Sequence, residues 1–279
     1  MAIARDLATL RREVAALRRR AGSVALVPTM GALHPGHLSL IALARQAAGA
    51  VVASIFVNPL QFGPAEDLSR YPRDEAGDLA ALRDAGCDLA WLPTPEAMYP
   101  PGSATTVEVA GLSDPWEGVQ RPGHFRGVAT VCAKLFLQTG ADVAVFGEKD
   151  WQQLAVIRRM VRDLDLPIRI LPGPTVREAD GLAMSSRNRF LSPAERAAAA
   201  LLPATLQELA AGLRSGAPAA PRIGAAEARL RQGGLLPDYL ALIEGETLQP
   251  LEAAPGDGSA RLLVAARLGT VRLLDNLAV

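Results

Sequence analysis

The sequence predicts an α/β protein: a parallel-sheet domain followed by a smaller α+β domain. Two observations carry this. Up to about residue 175, short apolar runs alternate with longer amphipathic stretches, and regular strand–helix alternation implies a parallel sheet with right-handed crossovers. After Leu191 the character changes to an alanine-rich helix and then short strands.

A first helix is expected where Leu7, Leu10, Val14 and Leu17 share one face and Arg11, Arg12 and Arg18 lie on others. An Arg-rich amphipathic start also suits a transit peptide, but this one runs directly into the first strand, so a domain helix is expected. Strands are expected at 24–27, 51–57, 89–92, 143–146 and 168–171, and helices at 37–48, 74–85, 126–138 and 151–164. Ser192-Pro193-Ala194-Glu195 is a capping box with proline at the first helical position, so another helix starts there. Gly216 to Pro221 reads as a connecting loop. Strands then follow near 238–244, 261–267 and 271–274, the last two joined at Leu268-Gly269-Thr270.

With 279 residues, 49% of them hydrophobic, the chain can bury one large core or two smaller ones. Its 29 basic and 29 acidic residues give zero net charge, which argues against a nucleic-acid or membrane surface as main partner. The sequence carries neither a signal-peptide core nor an apolar stretch of about 18 residues. Cys87 and Cys132, without a C-x-x-C pattern, read as reduced thiols of a cytosolic protein.

Three short motifs carry chemistry. His34-Pro35-Gly36-His37 holds two of the three histidines, after the apolar run Val24–Val27 and before a helical segment beginning near Leu38. A helix N-terminus offers unpaired N–H groups and roughly +0.5 of partial charge, and the three-residue spacing sets both imidazoles on one side of that first turn. Paired histidines at this spacing also suit a metal, but His124 is far away in sequence and no cysteine is near. Gly147-Glu148-Lys149-Asp150 repeats the strand–turn–helix pattern, with one of the two lysines of the chain at a strand's C-terminal end. Lys149 and Gln153 are four apart, the spacing of one helical face. In Met184-Ser185-Ser186-Arg187-Asn188, two hydroxyls and a planar guanidinium suit phosphate oxygens.

The H-x-G-H turn resembles that of the ATP-using nucleotidylyltransferase superfamily, and MSSR resembles its mobile phosphate loop. Together VPTMGALHPGHLSL, FVNPLQFGPAEDLSRYPR, RPGHFRGVATV, FGEKDWQQL, PTVREADGLAMSSRNRFL and LVAARLGTVRLLDN resemble the pantothenate synthetase family, the AMP-forming pantoate–β-alanine ligases. The similarity runs from about residue 20 to the C-terminus; Leu60 and Phe190 depart from the family pattern.

The resemblance implies a Rossmann-like ATP- and pantoate-binding domain over 1–175 and a smaller α+β domain over 176–279 that carries the MSSR loop. It implies ATP-dependent condensation of (R)-pantoate with β-alanine to (R)-pantothenate through a bound pantoyl adenylate, with release of pyrophosphate and AMP. His37 matches the family's proton donor, and His34 and Lys149 are the other catalytic candidates. ATP contacts are implied for Met30, Gly31, Ala32, Leu33, His34, Pro35, Gly36, His37, Gly147, Glu148, Lys149, Asp150, Val176, Met184, Ser185, Ser186 and Arg187. Gln61 and Gln153 are the candidates for pantoate and β-alanine, since an amide both donates and accepts without forming an ion pair. Mg²⁺ is expected on the ATP phosphates, without dedicated protein ligands. Residues 62–73 resemble the family's mobile lid. His124 either lines the pantoate pocket or fixes its loop through a backbone hydrogen bond. A cytoplasmic homodimer acting on small molecules is implied, with no nucleic-acid or membrane partner.

Other classes fit less well. Another adenylyl-transferring enzyme would keep H-x-G-H but not FVNPLQFG and RPGHFRG, and a class I aminoacyl-tRNA synthetase would need an anticodon-binding region. A non-catalytic nucleotide-binding regulator could dispense with His37 or Lys149; both are present.

Overall fold

The computed structural model describes residues 1–64, 66 and 68–279, so Ala65 and Asp67 of the expected lid lie outside the described residues. The described residues divide into two units, Met1–Glu148 with Val156–Pro174, and Lys149–Ala155 with Thr175–Val279.

In the first unit, β1 (Ala2–Ala4), α1 (Leu7–Ala21) and β2 (Val24–Thr29) come first. Asp6 caps α1 by accepting from Thr9 N at 2.8 Å, and the helix stops where Gly22 takes a φ of 78°. Leu10, Val14 and Leu17 are its buried face, as their spacing requires. Next come α2 (Pro35–Ala47), β3 (Ala50–Ile55), α3 (Glu75–Asp84) and β4 (Leu89–Trp91). Two single-turn helices, α4 (Pro95–Met98) and α5 (Glu117–Gln120), precede α6 (His124–Thr139), β5 (Val143–Gly147), α7 (Trp151–Asp163) and β6 (Arg169–Gly173). The first turn of α7 groups with the second unit.

The six strands form one parallel sheet in the order β1-β4-β3-β2-β5-β6. β1 is an unexpected edge strand, too short for its periodicity to register. Side chains alternate across the sheet. Ala25, Val27, Val51, Ala53, Ala90, Val143 and Val145 face Ile41 and Ala44 of α2 and Leu82 of α3. Val24, Leu26, Val52, Leu89 and Trp91 are equally buried on the strands that α1 and α6 pack against. Each large apolar side chain removed from water contributes about 1.5–3 kcal/mol, which makes this sheet the rigid part of the unit. The strand order reverses between β2 and β5, so the switch point where open α/β sheets bind ligands lies at Thr29 and Gly147.

The second unit contains α8 (Pro193–Ala199), α9 (Leu201–Leu213), α10 (Ala219–Gln232), β7 (Leu236–Glu244), β8 (Ala260–Leu268) and β9 (Val271–Ala278). The strands form an antiparallel sheet in that order, covered by α9 and α10 around Leu202, Leu206, Leu209, Leu213, Leu230, Leu242, Leu262 and Val264. The β8–β9 hairpin turns at Gly269-Thr270, where Gly269 has a φ of 57°. Two expectations are corrected here. The alanine-rich helix is broken at Ala200, because Pro203 has no N–H to give to the carbonyl four residues earlier. The loop from Gly216 ends at Pro218, and Ala219–Pro221 already belongs to α10; a proline in the first helical turn forfeits no intrahelical bond. Among the described residues no helix is long and apolar enough to cross a membrane.

Candidate active site

In the first unit the histidine pair stands at the N-terminus of α2, which begins at Pro35 rather than near Leu38. His34 is the N-cap, and its Nδ1 accepts from Gly36 N at 3.2 Å. His37 Nδ1 in turn accepts from His34 N at 3.3 Å, so two imidazoles form a capping box usually made by a hydroxyl and a carboxylate. Their ring centroids are 4.0 Å apart. With Nδ1 accepting in both rings, the neutral tautomer carries its proton on Nε2, which makes Nε2–H the donor of each ring.

The preceding turn is held by a residue that the motif did not reveal. Gly31 has a φ of 81° and Ala32 one of 50°, a left-handed pair that directs two successive N–H groups inward. Both meet Asp78 of α3: Ala32 N donates to Oδ2 at 2.9 Å and Leu33 N to Oδ1 at 2.8 Å. A Cβ on Gly31 would lie 2.7 Å from Asp78 Oδ2, so only glycine fits there. Met30, Gly31, Ala32 and Leu33 therefore present a fixed backbone, with two of their N–H groups committed to this carboxylate. The available sequence signal was an acidic residue in register with Leu82 on the buried face of α3.

Gln61 lies buried in a 3₁₀ turn, Pro59–Gln61. Its Oε1 accepts from Asn58 Nδ2 at 3.0 Å and its Nε2 donates to Met30 Sδ at 3.1 Å. Asn58 also donates to Gly127 O at 3.1 Å and accepts from Tyr99 Oη at 2.8 Å. His124 fixes the same turn from outside, with Nδ1 2.9 Å from Gln61 O and Nε2 3.1 Å from Arg121 Nη1. Burial and then the Arg121 charge push the pKa of His124 down to about 4. The ring is therefore neutral near pH 7, donating from Nδ1 and accepting at Nε2. Arg121 also makes a two-pronged ion pair with Glu66 at 3.0 and 2.6 Å. Burial is the largest single effect on that carboxyl and raises its pKa, but the bonds and charge of Arg121, with smaller effects beside them, hold it below its usual range. Of the two roles expected for His124, the loop-fixing hydrogen bond is present.

In the second unit Lys149 sits in a 3₁₀ turn, Glu148–Asp150, directly before α7, so Lys149 and Gln153 are not on one continuous α-helix. Lys149 Nζ is 3.5 Å from Asp150 Oδ1. Gln153 is half-buried, and its neighbour Gln152 is the buried glutamine. Val176 O accepts from Met184 N at 3.0 Å, pairing the two sides of a small hairpin that leads into the serine loop. Ser185 caps the 3₁₀ turn Ser186–Phe190 by accepting from Arg187 N at 3.3 Å. Asn188 ties this turn to Glu178 at 3.0 Å, and Arg196 braces both Glu178 and Asp180.

The parallel sheet, its switch point and the smaller antiparallel sheet define a Rossmann-like α/β protein with a C-terminal α+β unit. The family model described as pantoate-beta-alanine ligase matches residues 2–278, and the chain belongs to that family of enzymes. It is 60% identical to the pantothenate synthetase of Acidiphilium cryptum over all of both chains. Identity to that of Rhizorhabdus wittichii is 56% over 100% of this chain and 99% of the relative. Among solved structures it is similar to pantothenate synthetase from Thermus thermophilus, with a TM-score of 0.93, 50% identity and 99% of each chain covered. It is also similar to the Francisella tularensis pantoate-beta-alanine ligase complexed with beta-gamma ATP and beta-alanine, with a TM-score of 0.84 and 30% identity over 100% of this chain and 97% of that one.

Proposed function

We propose that this enzyme condenses (R)-pantoate with β-alanine at the expense of ATP, by way of a bound pantoyl adenylate. Membership of the ligase family supports the overall reaction, and the histidine-capped helix terminus supports the adenylate route. A carboxylate is a poor electrophile. Its oxygen attacks the α-phosphorus of ATP, the O–P bond forms and pyrophosphate leaves. The β-alanine amine then attacks the carbonyl carbon of the mixed anhydride; the C–N bond forms, the bond to AMP breaks and the amine loses a proton.

Both steps place negative charge where donors must meet it, and a positioned donor of this kind contributes about 10²–10³ in rate. In this reading His34 and His37 donate from Nε2 to the phosphates, and Lys149, Ser185, Ser186 and Arg187 supply the remaining donors. Met30, Gly31, Ala32, Leu33, Pro35, Gly36, Gly147, Glu148, Asp150, Val176 and Met184 complete the nucleotide contacts. Gln61 and Gln153 hold the acid and amine substrates; Gln61 carries an amide donor already oriented by Asn58 and Met30. Among the described residues no group of three or more His, Cys, Asp or Glu forms a metal cage. A Mg²⁺ that neutralises phosphate charge would be carried by the ATP oxygens, because that ion prefers water and phosphate oxygens to a dedicated protein cage. The active form proposed is a cytoplasmic homodimer.

The deciding experiment uses ¹⁸O in the pantoate carboxylate, with ATP, Mg²⁺ and β-alanine. Label is expected in AMP. Label in inorganic phosphate, or ADP as the nucleotide product, rejects the adenylate.

A further inference from the structure

We propose that Asn276 is a positioning residue for Lys149: it fixes the backbone from which the ammonium reaches the phosphates. This rests on the assignment of Lys149 to adenylate formation. Asn276 lies on β9, 2% exposed, at a place where an amide is costly unless it is fully hydrogen-bonded. Its Nδ2 donates to Lys149 O at 2.8 Å, across 127 residues of sequence. Its Oδ1 accepts from the guanidinium of Arg261 on β8. That guanidinium stacks on the ring of Trp151, 3.4 Å from the centroid, and Trp151 Nε1 donates to Gly245 O at 2.7 Å. The antiparallel sheet thus grips the chain at Lys149 and again two residues later.

The anchor is itself braced. Asp275, next to Asn276 and 3% exposed, accepts two bonds from Arg177 at 2.7 and 2.9 Å, and Arg177 also donates to Asn276 O at 3.3 Å. β9 therefore cannot slide without breaking an ion pair whose carboxylate is buried. A lysine ammonium ends a flexible four-carbon stem, so its aim depends on where its Cα is held. Displacement of about 1 Å is enough to cost roughly 10²-fold in rate.

The test is a double-mutant cycle read as kcat for pantoate-dependent pyrophosphate release. Asn276→Leu keeps the side chain's bulk and removes the donor; Asn276→Asp keeps its shape and turns an acceptor toward Lys149 O. Each is expected to lower kcat roughly 10- to 100-fold while the pantoate KM moves less than about threefold. In the background of Lys149→Ala, itself at least ~10²-fold impaired, either change should cost almost nothing more. Arg261→Met, which leaves β9 intact, should show the same pattern with a loss of roughly 3- to 10-fold, and it carries the test if neither Asn276 variant melts cooperatively. Losses that multiply in the double mutant, or a wild-type kcat in any folded variant, overturn the proposal. A Lys149→Ala enzyme with normal kcat is a different result, since it removes Lys149 from the chemistry and the anchor's purpose with it.

Discussion

Asp78 controls the histidine pair without reaching toward it. Its two oxygens take the N–H groups of Ala32 and Leu33, which fixes the left-handed turn from which His34 and His37 emerge. Asn at this position keeps the shape, but it sets an NH₂ group against one of those buried donors. The loss expected is about 1–3 kcal/mol, because an orphaned buried donor costs its full desolvation. Asp78→Asn should therefore lower both the denaturation midpoint and the turnover number, whereas His37→Ala, which gives up one capping bond, should lower turnover by far the larger factor. Urea unfolding and steady-state rates on the two variants separate these effects. An unchanged urea midpoint in Asp78→Asn would show that the carboxylate does not hold the turn.

At the scale of elements, α6 and the Pro59–Gln61 turn touch through a glycine. A Cβ on Gly127 would lie 2.3 Å from Leu60 O and 2.6 Å from Gln61 N, both backbone atoms that cannot move aside. The carbonyl of the same glycine accepts from Asn58, the residue that orients Gln61. Gly127→Ala gains helix propensity in isolation, about 1 kcal/mol, yet it should destabilise the protein by about 1–3 kcal/mol through overpacking. It should also raise the pantoate KM more than the ATP KM, since the turn it displaces carries Gln61. Substrate titrations run separately decide this; a stabilised variant with unchanged KM values would show that the helix and turn separate freely.

The whole molecule should register His124 as acid sensitivity. Its folded pKa, about 4, lies below the ordinary 6.5, with burial the first cause and the Arg121 charge the second. Glu117 and Glu66 oppose the shift without cancelling it. Between these two values the unfolded chain holds a proton that the folded chain lacks, so stability is full above pH 6.5 and falls as the pH drops toward 4. The contribution is on the order of 3 kcal/mol. Replacing His124 by Gln, neutral at every pH, should flatten this part of the stability–pH curve and lower its plateau. Thermal melts from pH 7.5 to 4 measure both features, and identical slopes in the two proteins would assign the acid loss to other groups.

Much of this protein is determined locally. The apolar runs at Val24–Val27 and Val143–Phe146, each followed by a turn and an amphipathic stretch, encode the parallel sheet through period and length alone, and six motifs in fixed order place the chain in its family. The capping box at Ser192 and the Gly269 turn are readable for the same reason: each is a contact between residues a few positions apart. What surrounds the candidate site is not local. Asp78 reaches the turn at Ala32 from 46 residues away, His124 reaches Gln61 from 63, and Asn276 reaches Lys149 from 127. A hydrogen bond between distant segments leaves no period in the sequence, and a buried Asp, His or Asn reads there as an ordinary polar residue. Only the folded chain, by removing water from these groups, leaves them dependent on one another and turns them into the supports of the site.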